Sequence, residues 1–405
     1  PNAYLIYHHF FRLLERLIND EQDTIRVLAA EQLFRVIDLI HSDFTDKGKE
    51  ALILPLVTAS LEDKSWRVRT VHTNILIKFN KIFPEVLFNQ VACCKFLEYL
   101  RDSENEVKVR ALNNLSDFIE TIPESERETF ILDEIIPKIH SLMNSKHVQV
   151  KIALSKCVIS LSKYLSQTEL TSNLLSLYMI LLRDDNSEIS LATISKLCEV
   201  KSDNISMKEL FSCIFDAISE LSRDSKWRVR DDIVKLLPSV ITSIKFDDEG
   251  SEQLIKTLIK MLNDNVYAIR RSVADSIFTL VSKQGLQWAN NTVIPMINEM
   301  KDSHNYIVRM AYIDNVDLLL DSLDSEAILD IFKSLKLVSK DPVPNVRFRL
   351  IRFFKDRLYP FAVASDDEKH KEMSNEIIQI VKSLANDQDN DVRDFVVDFE
   401  EKYSA

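Results

Sequence analysis

A short motif returns through the whole chain. It has an acidic or hydroxyl residue, an apolar residue five places later and, in nine of ten copies, a basic residue six places later. The stretch Asp224-Ser225-Lys226-Trp227-Arg228-Val229-Arg230 is one copy. Successive copies begin 38 to 46 residues apart, at Asp20, Asp63, Asp102, Ser145, Asp184, Asp224, Asp264, Ser303, Asp341 and Asp387. Self-similarity at this period is typical of a solenoid, in which each repeat buries its apolar face against its neighbours.

Each copy predicts one helix–turn–helix. The starting Asp or Ser is expected to be the N-cap of a second helix, because apolar residues follow it at helical spacing, as in Ile269, Val273 and Ile277. Another amphipathic run, such as residues 254–262, precedes each start. Two helices in about 40 residues is the HEAT-type period. The chain is therefore predicted to be an all-α HEAT-repeat α-α superhelix over residues 1–405, a solenoid of about ten helix-turn-helix repeats.

The basic residue of the motif lies too far from its own Asp for an (i, i+4) pair. We expect it to pair with the Asp of the neighbouring repeat, so that ion pairs form a ladder along the stack. The residues at this position are Arg26, Arg69, Lys108, Lys151, Ser190, Arg230, Arg270, Arg309, Arg347 and Arg393. Because Ser145 and Ser190 weaken the ladder, the sequence predicts a less stable segment near residues 145–190.

Composition narrows the class of protein. The chain has only 3 Gly, 46% hydrophobic residues and a net charge of −12. The acidic balance argues against a general nucleic-acid binder, which needs a basic face. No apolar run reaches membrane-spanning length. The 5 Cys show neither disulfide nor metal spacing, which indicates a reducing compartment, the cytoplasm, with the nucleus left open.

The sequence contains no recognisable motif for catalysis, metal binding or phosphate binding. The glycines Gly48, Gly250 and Gly285 are isolated and cannot form a phosphate-binding loop or a dinucleotide fingerprint. The histidines are scattered, and neither HExxH nor GxSxG occurs. We therefore expect a protein that is not an enzyme and needs no metal or cofactor.

One position in the motif favours partner binding. Three residues after the repeat start, just before the predicted second helix, stand Trp66, Trp227, Tyr267 and Tyr306. The last three belong to consecutive repeats, and the turns of a solenoid lie along one edge, so these rings are expected to form a row. The alternative is that each ring folds back onto its own repeat. Since Trp, Tyr and Arg dominate interface hot spots, the row favours a partner-binding edge.

In these same stretches the sequence resembles the scaffold (A, 65 kDa-type) subunit of protein phosphatase 2A. The matching segments include residues 20–26, 62–69 and 226–230, and Val266-Tyr267-Ala268-Ile269-Arg270, Asn305-Tyr306 and Asp341-Pro342-Val343 follow in the order of that family. The resemblance covers essentially the whole chain. It implies a horseshoe-like array of fifteen repeats, of which these ten look like the sixth to the fifteenth.

The resemblance implies a non-catalytic scaffold in a heterodimer or heterotrimer. Repeats in residues 201–405 would hold the phosphatase catalytic subunit, through Trp227, Arg228, Val266, Tyr267, Tyr306, Val343 and Asn345. Repeats in residues 1–200 would face a regulatory B-type subunit, through Ser65, Trp66 and Arg67. No nucleic acid and no membrane is expected among the partners. Any phosphatase metals would belong to the catalytic subunit.

A second class of function stays open. A HEAT-repeat nuclear-transport receptor, or another cargo-binding adaptor, would share the helical repeats and the acidic charge. Such carriers bind basic cargo through acidic inner surfaces, and the second helices show no repeated acidic row. An enzyme with a helical-repeat body would need a catalytic constellation, which the sequence does not offer.

Overall fold

The computed structural model describes residues 3–40, 55–82, 86–198, 207–243 and 248–403. Within these ranges the chain forms twenty helices and no strand. It divides into two compact units, Pro1–Ser206 and Met207–Ala405. The boundary predicted between residues 200 and 201 lies outside the described residues, and the functional assignment of the two halves stays a prediction.

Unit 1 contains the first ten helices. They are α1 (Ala3–Ile18), α2 (Asp23–Ile40), α3 (55–60), α4 (Trp66–Ile82), α5 (Val86–Tyr99), α6 (Asn105–Ile119), α7 (Glu124–Phe130, the π-helical turn Ile131–Ile135 and Ile136–Met143), α8 (Val148–Leu161), α9 (Gln167–Glu169, the π-helical turn Leu170–Leu174 and Leu175–Leu182) and α10 (Ser187–Leu197). The even-numbered helices are the second helices of the repeats and pack on one another in chain order.

Unit 2 contains the other ten. They are α11 (Met207–Leu221), α12 (Trp227–Ser243), α13 (Asp248–Lys260), α14 (Tyr267–Gln284), α15 (Leu286–Glu299), α16 (Tyr306–Leu319), α17 (Ser325–Val338), α18 (Pro344–Phe353, the π-helical turn Phe354–Leu358 and Tyr359–Ala364), α19 (Glu368–Ser383) and α20 (Asn390–Tyr403). Odd-numbered helices form one layer and even-numbered helices another, each packing on the next of its kind.

The apolar positions recognised by helical spacing form the core. Ile269, Val273 and Ile277 on α14 are each at most 1% exposed. Burying such side chains gives the stack its main driving force, because each contributes about 1.5–3 kcal/mol relative to exposure. The predicted fold, an all-α HEAT-type solenoid of about ten helix pairs, is confirmed.

The predicted N-cap is wrong by two residues. Every second helix begins three residues after its repeat start, so the start residue lies outside the helix. Its side-chain oxygen instead accepts the backbone N–H two residues on, as Asp63 does from Ser65 at 2.7 Å and Ser303 does from Asn305 at 3.2 Å. All ten starts make this bond, at 2.7–3.2 Å. Asp and Ser favour such local turns because their short side chains reach the backbone.

The predicted ladder of ion pairs is present. Six basic residues bind the starting Asp of the next repeat, at N–O distances of 2.5–2.8 Å: Arg26–Asp63, Arg69–Asp102, Lys151–Asp184, Arg230–Asp264, Arg309–Asp341 and Arg347–Asp387. The five arginines do so through both Nε and Nη2. This bidentate arrangement is the strongest common form of an ion pair.

A second contact of the arginines was not predicted. In each arginine of the series, Nη1 donates to the backbone carbonyl of its own repeat start, at 2.5–2.9 Å. Each guanidinium therefore fixes its own turn and, where an Asp follows, joins that turn to the next one.

The ladder is interrupted where Ser replaces the starting Asp or the basic residue. Among the described residues Lys108 has no acidic partner, because the next start is Ser145. Ser190 donates its hydroxyl to the Leu182 carbonyl at 3.0 Å and cannot form a charged pair. A further interruption, at Ser303, was not predicted: Arg270 binds its own turn but no carboxylate within the described residues.

Replacing Asp102 by Asn should destabilise the protein by about 1.5–3 kcal/mol, because the turn is kept while a charge-assisted pair is lost. Asp102 is 8% exposed in its side chain. A matched control is Glu134→Gln, which removes the more exposed Lys138–Glu134 pair and should cost less than about 1 kcal/mol. Urea unfolding followed by circular dichroism measures both. Equal midpoints for the two variants would contradict a stabilising ladder.

The stability of the ladder should fall in acid. Burial opposes ionisation of Asp63, Asp102 and Asp264, but hydrogen bonds from Arg26, Arg69 and Arg230 outweigh it, so the pKa of each carboxyl lies below its ordinary value. The hydrogen bond from Arg347 likewise lowers the pKa of Asp387. A folded-state pKa below the unfolded value, about 3.9, gives stability that is present above that pH and is lost as the pH falls through the folded pKa.

We therefore expect the difference in unfolding free energy between the native protein and Asp102→Asn to be constant near neutral pH. It should shrink below about pH 4, where the unfolded Asp becomes protonated. Urea unfolding of both proteins across this range is the measurement. A difference that stays constant down to about pH 2 would show that the carboxylate charge of Asp102 does not contribute.

The segment near residues 145–190 should exchange its backbone amides faster than the flanking repeats of unit 1, since the Lys108–Ser145 step has no ion pair. Hydrogen exchange with mass spectrometry can compare these segments. Ser145→Asp places a carboxylate opposite Lys108 and should slow exchange in α8. Exchange at the same rate throughout unit 1 would rule out this local weakness.

Candidate partner-binding edge

Trp227, Tyr267 and Tyr306 occupy the same place in three consecutive repeats. Each is the first residue of its second helix, α12, α14 or α16, rather than the residue just before it. The N-cap residues Val266 and Asn305 have almost the same extended backbone, φ −86° and ψ 118° or 115°. The turn made by the starting Asp or Ser fixes this geometry. The rings are therefore presented at equivalent points of successive turns.

The three rings are exposed to solvent. Trp227 is 37%, Tyr267 62% and Tyr306 40% exposed. None of the three residues is buried in the core of its repeat. Single exposed apolar residues are common, but aromatic residues at one position of three neighbouring repeats are a recurring feature of the chain. We call the set Trp227, Arg228, Val266, Tyr267, Tyr306, Val343 and Asn345 the unit-2 edge.

Arg228 adds a positive charge to the unit-2 edge. Its guanidinium carbon lies 4.7 Å from the centre of the Trp227 ring, within cation–π range. Among the described residues it has no acidic partner, and its side chain is exposed. The pair resembles an interface hot spot in composition, since Trp and Arg are the residue types most enriched there.

Val266 and Val343 differ from the rings because their backbone takes part in the turns. Val266 and Val343 are the N-cap residues of α14 and α18, are half-buried, and each donates its backbone N–H to the starting Asp at 2.8 Å. Asn345 is exposed in the first turn of α18. The valines thus contribute apolar surface to the edge. The Asn345 side chain has no hydrogen-bond partner within the described residues.

A cavity of about 210 Å³ brings part of the edge together. Tyr267, Tyr306 and Asn345 all line it, although they come from three repeats. Trp227, Arg228, Val266 and Val343 do not line it. The edge therefore has a concave part around the tyrosines, and Trp227 lies outside that cavity.

Sequence reasoning missed the other walls of this cavity. They include Arg270 and Arg271 from α14 and Asp314 and Asn315 from α16. Burial raises the pKa of Asp314, although Arg349 from α18 hydrogen bonds to its carboxylate. Arg271 lies 3.4 Å from Asp275 through Nε. A signal was present in the sequence: Ser303 in place of Asp leaves Arg270 without its expected partner.

The predicted contacts for a regulatory subunit in unit 1 are partly occupied by internal bonds. Ser65 donates its hydroxyl to Asp23 at 3.0 Å, and Arg67 donates to the same carboxylate oxygen at 3.2 Å. The Arg67 guanidinium also lies 5.0 Å from the centre of the half-buried Trp66 ring. The Ser65 hydrogen bond, opposed by burial, lowers the pKa of Asp23. This group is one connected cluster, less open than the unit-2 edge.

Among the described residues, several side chains of types that often act in catalysis are buried and uncharged. Burial lowers the pKa of His72 to about 4, so its imidazole is neutral near pH 7. Burial raises the pKa of the Cys93 thiol to about 11 and of the Cys157 thiol to about 12, which keeps both protonated. In the described ranges, no three His, Cys, Asp or Glu side chains are grouped so that they could hold a metal ion. No described helix is both long and apolar enough to cross a bilayer.

Known proteins match the chain in sequence. A family described as PIK3R4-like, middle domain, matches residues 95–358. The beta isoform of the human 65 kDa regulatory A subunit of serine/threonine-protein phosphatase 2A is 31% identical over 114 residues, which are 28% of this chain and 19% of that protein. Human serine/threonine-protein phosphatase 4 regulatory subunit 4 is 20% identical over 387 residues, 83% of this chain and 42% of that protein. The chain thus spans less than half the length of either relative.

Solved structures match the chain in fold. Kap121p bound to Nup53p superposes with a TM-score of 0.70 at 13% identity, over 100% of this chain and 42% of that one. Kap121p bound to Pho4p gives 0.66 at 14% identity, over 98% and 42%. At this level of identity the likeness concerns the fold alone.

Proposed function

Because the chain belongs to the PIK3R4-like middle-domain family, we propose that it is a non-catalytic scaffold, and that its unit-2 edge holds the catalytic subunit of a serine/threonine protein phosphatase. The phosphatase we propose first is phosphatase 2A. The relatives matched in sequence are regulatory subunits of phosphatases 2A and 4. A regulatory role beside a catalytic protein is thus common to them.

The observation that carries the proposal is the row of exposed rings at Trp227, Tyr267 and Tyr306. Aromatic side chains bury a large area at low entropic cost, and an interface that covers them gains most of its energy from a few such residues. The residues matched by the family, 95–358, include the whole unit-2 edge. They leave out Ser65, Trp66 and Arg67.

Scaffolding explains how such a chain acts without chemistry of its own. Two proteins bound to one frame meet at an effective concentration in the millimolar range for short connections. In this proposal unit 1 holds a regulatory B-type subunit through Ser65, Trp66 and Arg67, and unit 2 holds the enzyme. The regulatory subunit then brings its substrate to the enzyme. The cytoplasm, with the nucleus as a second compartment, is part of the same proposal.

A pull-down with the phosphatase 2A catalytic subunit tests the proposal, with a small GTPase and the phosphatase 4 catalytic subunit in parallel. Trp227→Ala and Tyr267→Ala should each weaken binding by about thirtyfold, since loss of a hot-spot ring costs about 2 kcal/mol. Val363→Ala is the matched control, because Val363 is 55% exposed near the C-terminal end of α18, whose N-terminal end carries the edge, and its loss should leave affinity unchanged.

The outcomes separate the alternatives. Binding of phosphatase 2A that depends on both rings supports the proposal, and preference for phosphatase 4 would change the partner but not the edge. Binding unaffected by either ring would place the interface elsewhere. Capture of the GTPase alone would favour the cargo-binding adaptor instead.

A further inference from the structure

Arg270 has the same position as the arginines of the ladder but lacks their partner. In the repeats on either side, Arg230 binds Asp264 through Nε at 2.8 Å and Nη2 at 3.0 Å, and Arg309 binds Asp341 at 2.5 and 2.9 Å. The residue that should receive Arg270 is Ser303, which has no carboxylate. One rung between two complete rungs is therefore open.

The neighbouring acid does not fill this place. Asp302 precedes Ser303, but its side chain is 76% exposed and its carboxylate lies 3.2 Å from Lys301 Nζ. The Ser303 hydroxyl accepts the N–H of Asn305 at 3.2 Å, as the Asp side chains do in their own turns. Among the described residues, no acceptor binds the Nε or Nη2 of Arg270.

The guanidinium of Arg270 is nevertheless held in place. Its Nη1 donates to the Asp264 carbonyl at 2.7 Å and to the Asn265 carbonyl at 3.2 Å. Its carbon lies 5.6 Å from the centre of the Tyr267 ring. A group fixed in this way loses little entropy when it binds an anion, which favours affinity.

The surroundings of Arg270 suit an acidic group. It lines the 210 Å³ cavity with Tyr267 and Tyr306. Of the charged residues that line the cavity, Arg271 is paired with Asp275 and Asp314 with Arg349, which leaves Arg270 without an acidic partner among the described residues. The cavity is thus locally positive in a chain whose net charge is −12.

A buried acceptor indicates that the ligand is a peptide rather than a free anion. Asn315 lines the same cavity, is 1% exposed, and donates Nδ2 to the Ala311 carbonyl at 2.7 Å. Its Oδ1 has no hydrogen-bond partner within the described residues. A buried oxygen without a partner is costly, and a backbone N–H from a bound segment would satisfy it.

We propose that Arg270 is the receptor for a carboxylate supplied by the bound protein. An Asp or Glu side chain of that partner completes the open rung, its carboxylate bound by Nε and Nη2 as in the neighbouring rungs, and its chain packs between Tyr267 and Tyr306. The site is new, while the identity of the partner as a phosphatase catalytic subunit rests on the proposed function.

Another interrupted step, in unit 1, lacks these features. Lys108 faces Ser145 in unit 1, but a lysine cannot bind a carboxylate in the bidentate way. The first residues of the neighbouring second helices there are Asn105 and Val148, which offer no rings. This step therefore provides a matched control.

Ser303→Asp tests the site because it places a carboxylate inside the chain, where we propose that the partner inserts one. We expect a higher melting temperature and about tenfold weaker binding of the phosphatase catalytic subunit, the size of one charge-assisted pair. Arg270→Gln should weaken binding to a similar extent without the gain in stability. Ser145→Asp should stabilise the protein and leave binding unchanged.

A second arm does not depend on the phosphatase. N-acetylated hexaglutamate is titrated into the arginine-labelled protein at low salt, and the side-chain Nε–H signal of Arg270 is followed by NMR. A saturable shift that is lost in Ser303→Asp supports the receptor. No shift in the native protein, or an equal shift in Ser303→Asp, overturns it.

The two arms keep the proposals apart. If the phosphatase binds and depends on Trp227 but not on Ser303→Asp or Arg270→Gln, the scaffold stands and the receptor fails. If the phosphatase does not bind at all, the proposed function fails, and the hexaglutamate arm alone decides whether Arg270 receives a carboxylate.

Discussion

The bond between an arginine and the carboxylate of the next repeat is the interaction on which the order of the stack depends. Apolar burial holds the helices together, but burial is not directional and would tolerate sliding. Each ladder arginine binds its own turn through Nη1 and the following turn through Nε and Nη2. Because the fork of a guanidinium is rigid, these three bonds fix the spacing between adjacent turns. Arg230 and Asp264 join the turns that carry Trp227 and Tyr267 in this way, while the next step, from Arg270 to Ser303, has no such pair among the described residues.

Much of this order could be predicted from the sequence. The period, the two helices of each repeat and the pairing of six basic residues with the next Asp all follow from spacing, as the Arg69–Asp102 pair shows. The predicted N-cap lies two residues too early, because an Asp before a helix can cap it or can form a turn leading to it. Propensity favours Asp for both, and only the backbone decides between them.

The candidate edge could also be predicted in part from the spacing of the repeats. Trp227, Tyr267 and Tyr306 stand at one offset from the repeat start, so their alignment is a matter of counting. The cavity beside them could not be predicted in this way, because Asn315 and Asp314 lie in the middle of α16 and meet Arg270 only through packing. The open rung is different, because Ser303, like Ser145, stands where the repeat pattern predicts a starting Asp.

The turn of each repeat separates what the stack needs from what a partner contacts. The starting residue and the arginine are bound inside the ladder, while the first residue of the second helix makes none of the bonds between an arginine and the Asp of the next repeat. That position accepts charged, polar, aromatic, aliphatic and cyclic side chains, namely Asp23, Trp66, Asn105, Val148, Ser187, Trp227, Tyr267, Tyr306, Pro344 and Asn390. A lineage could therefore gain, lose or move a recognition surface by single substitutions at this position, because the packing of the repeats does not depend on the side chain there. Such a fold is well suited to diversify its partners during evolution while its framework stays constant.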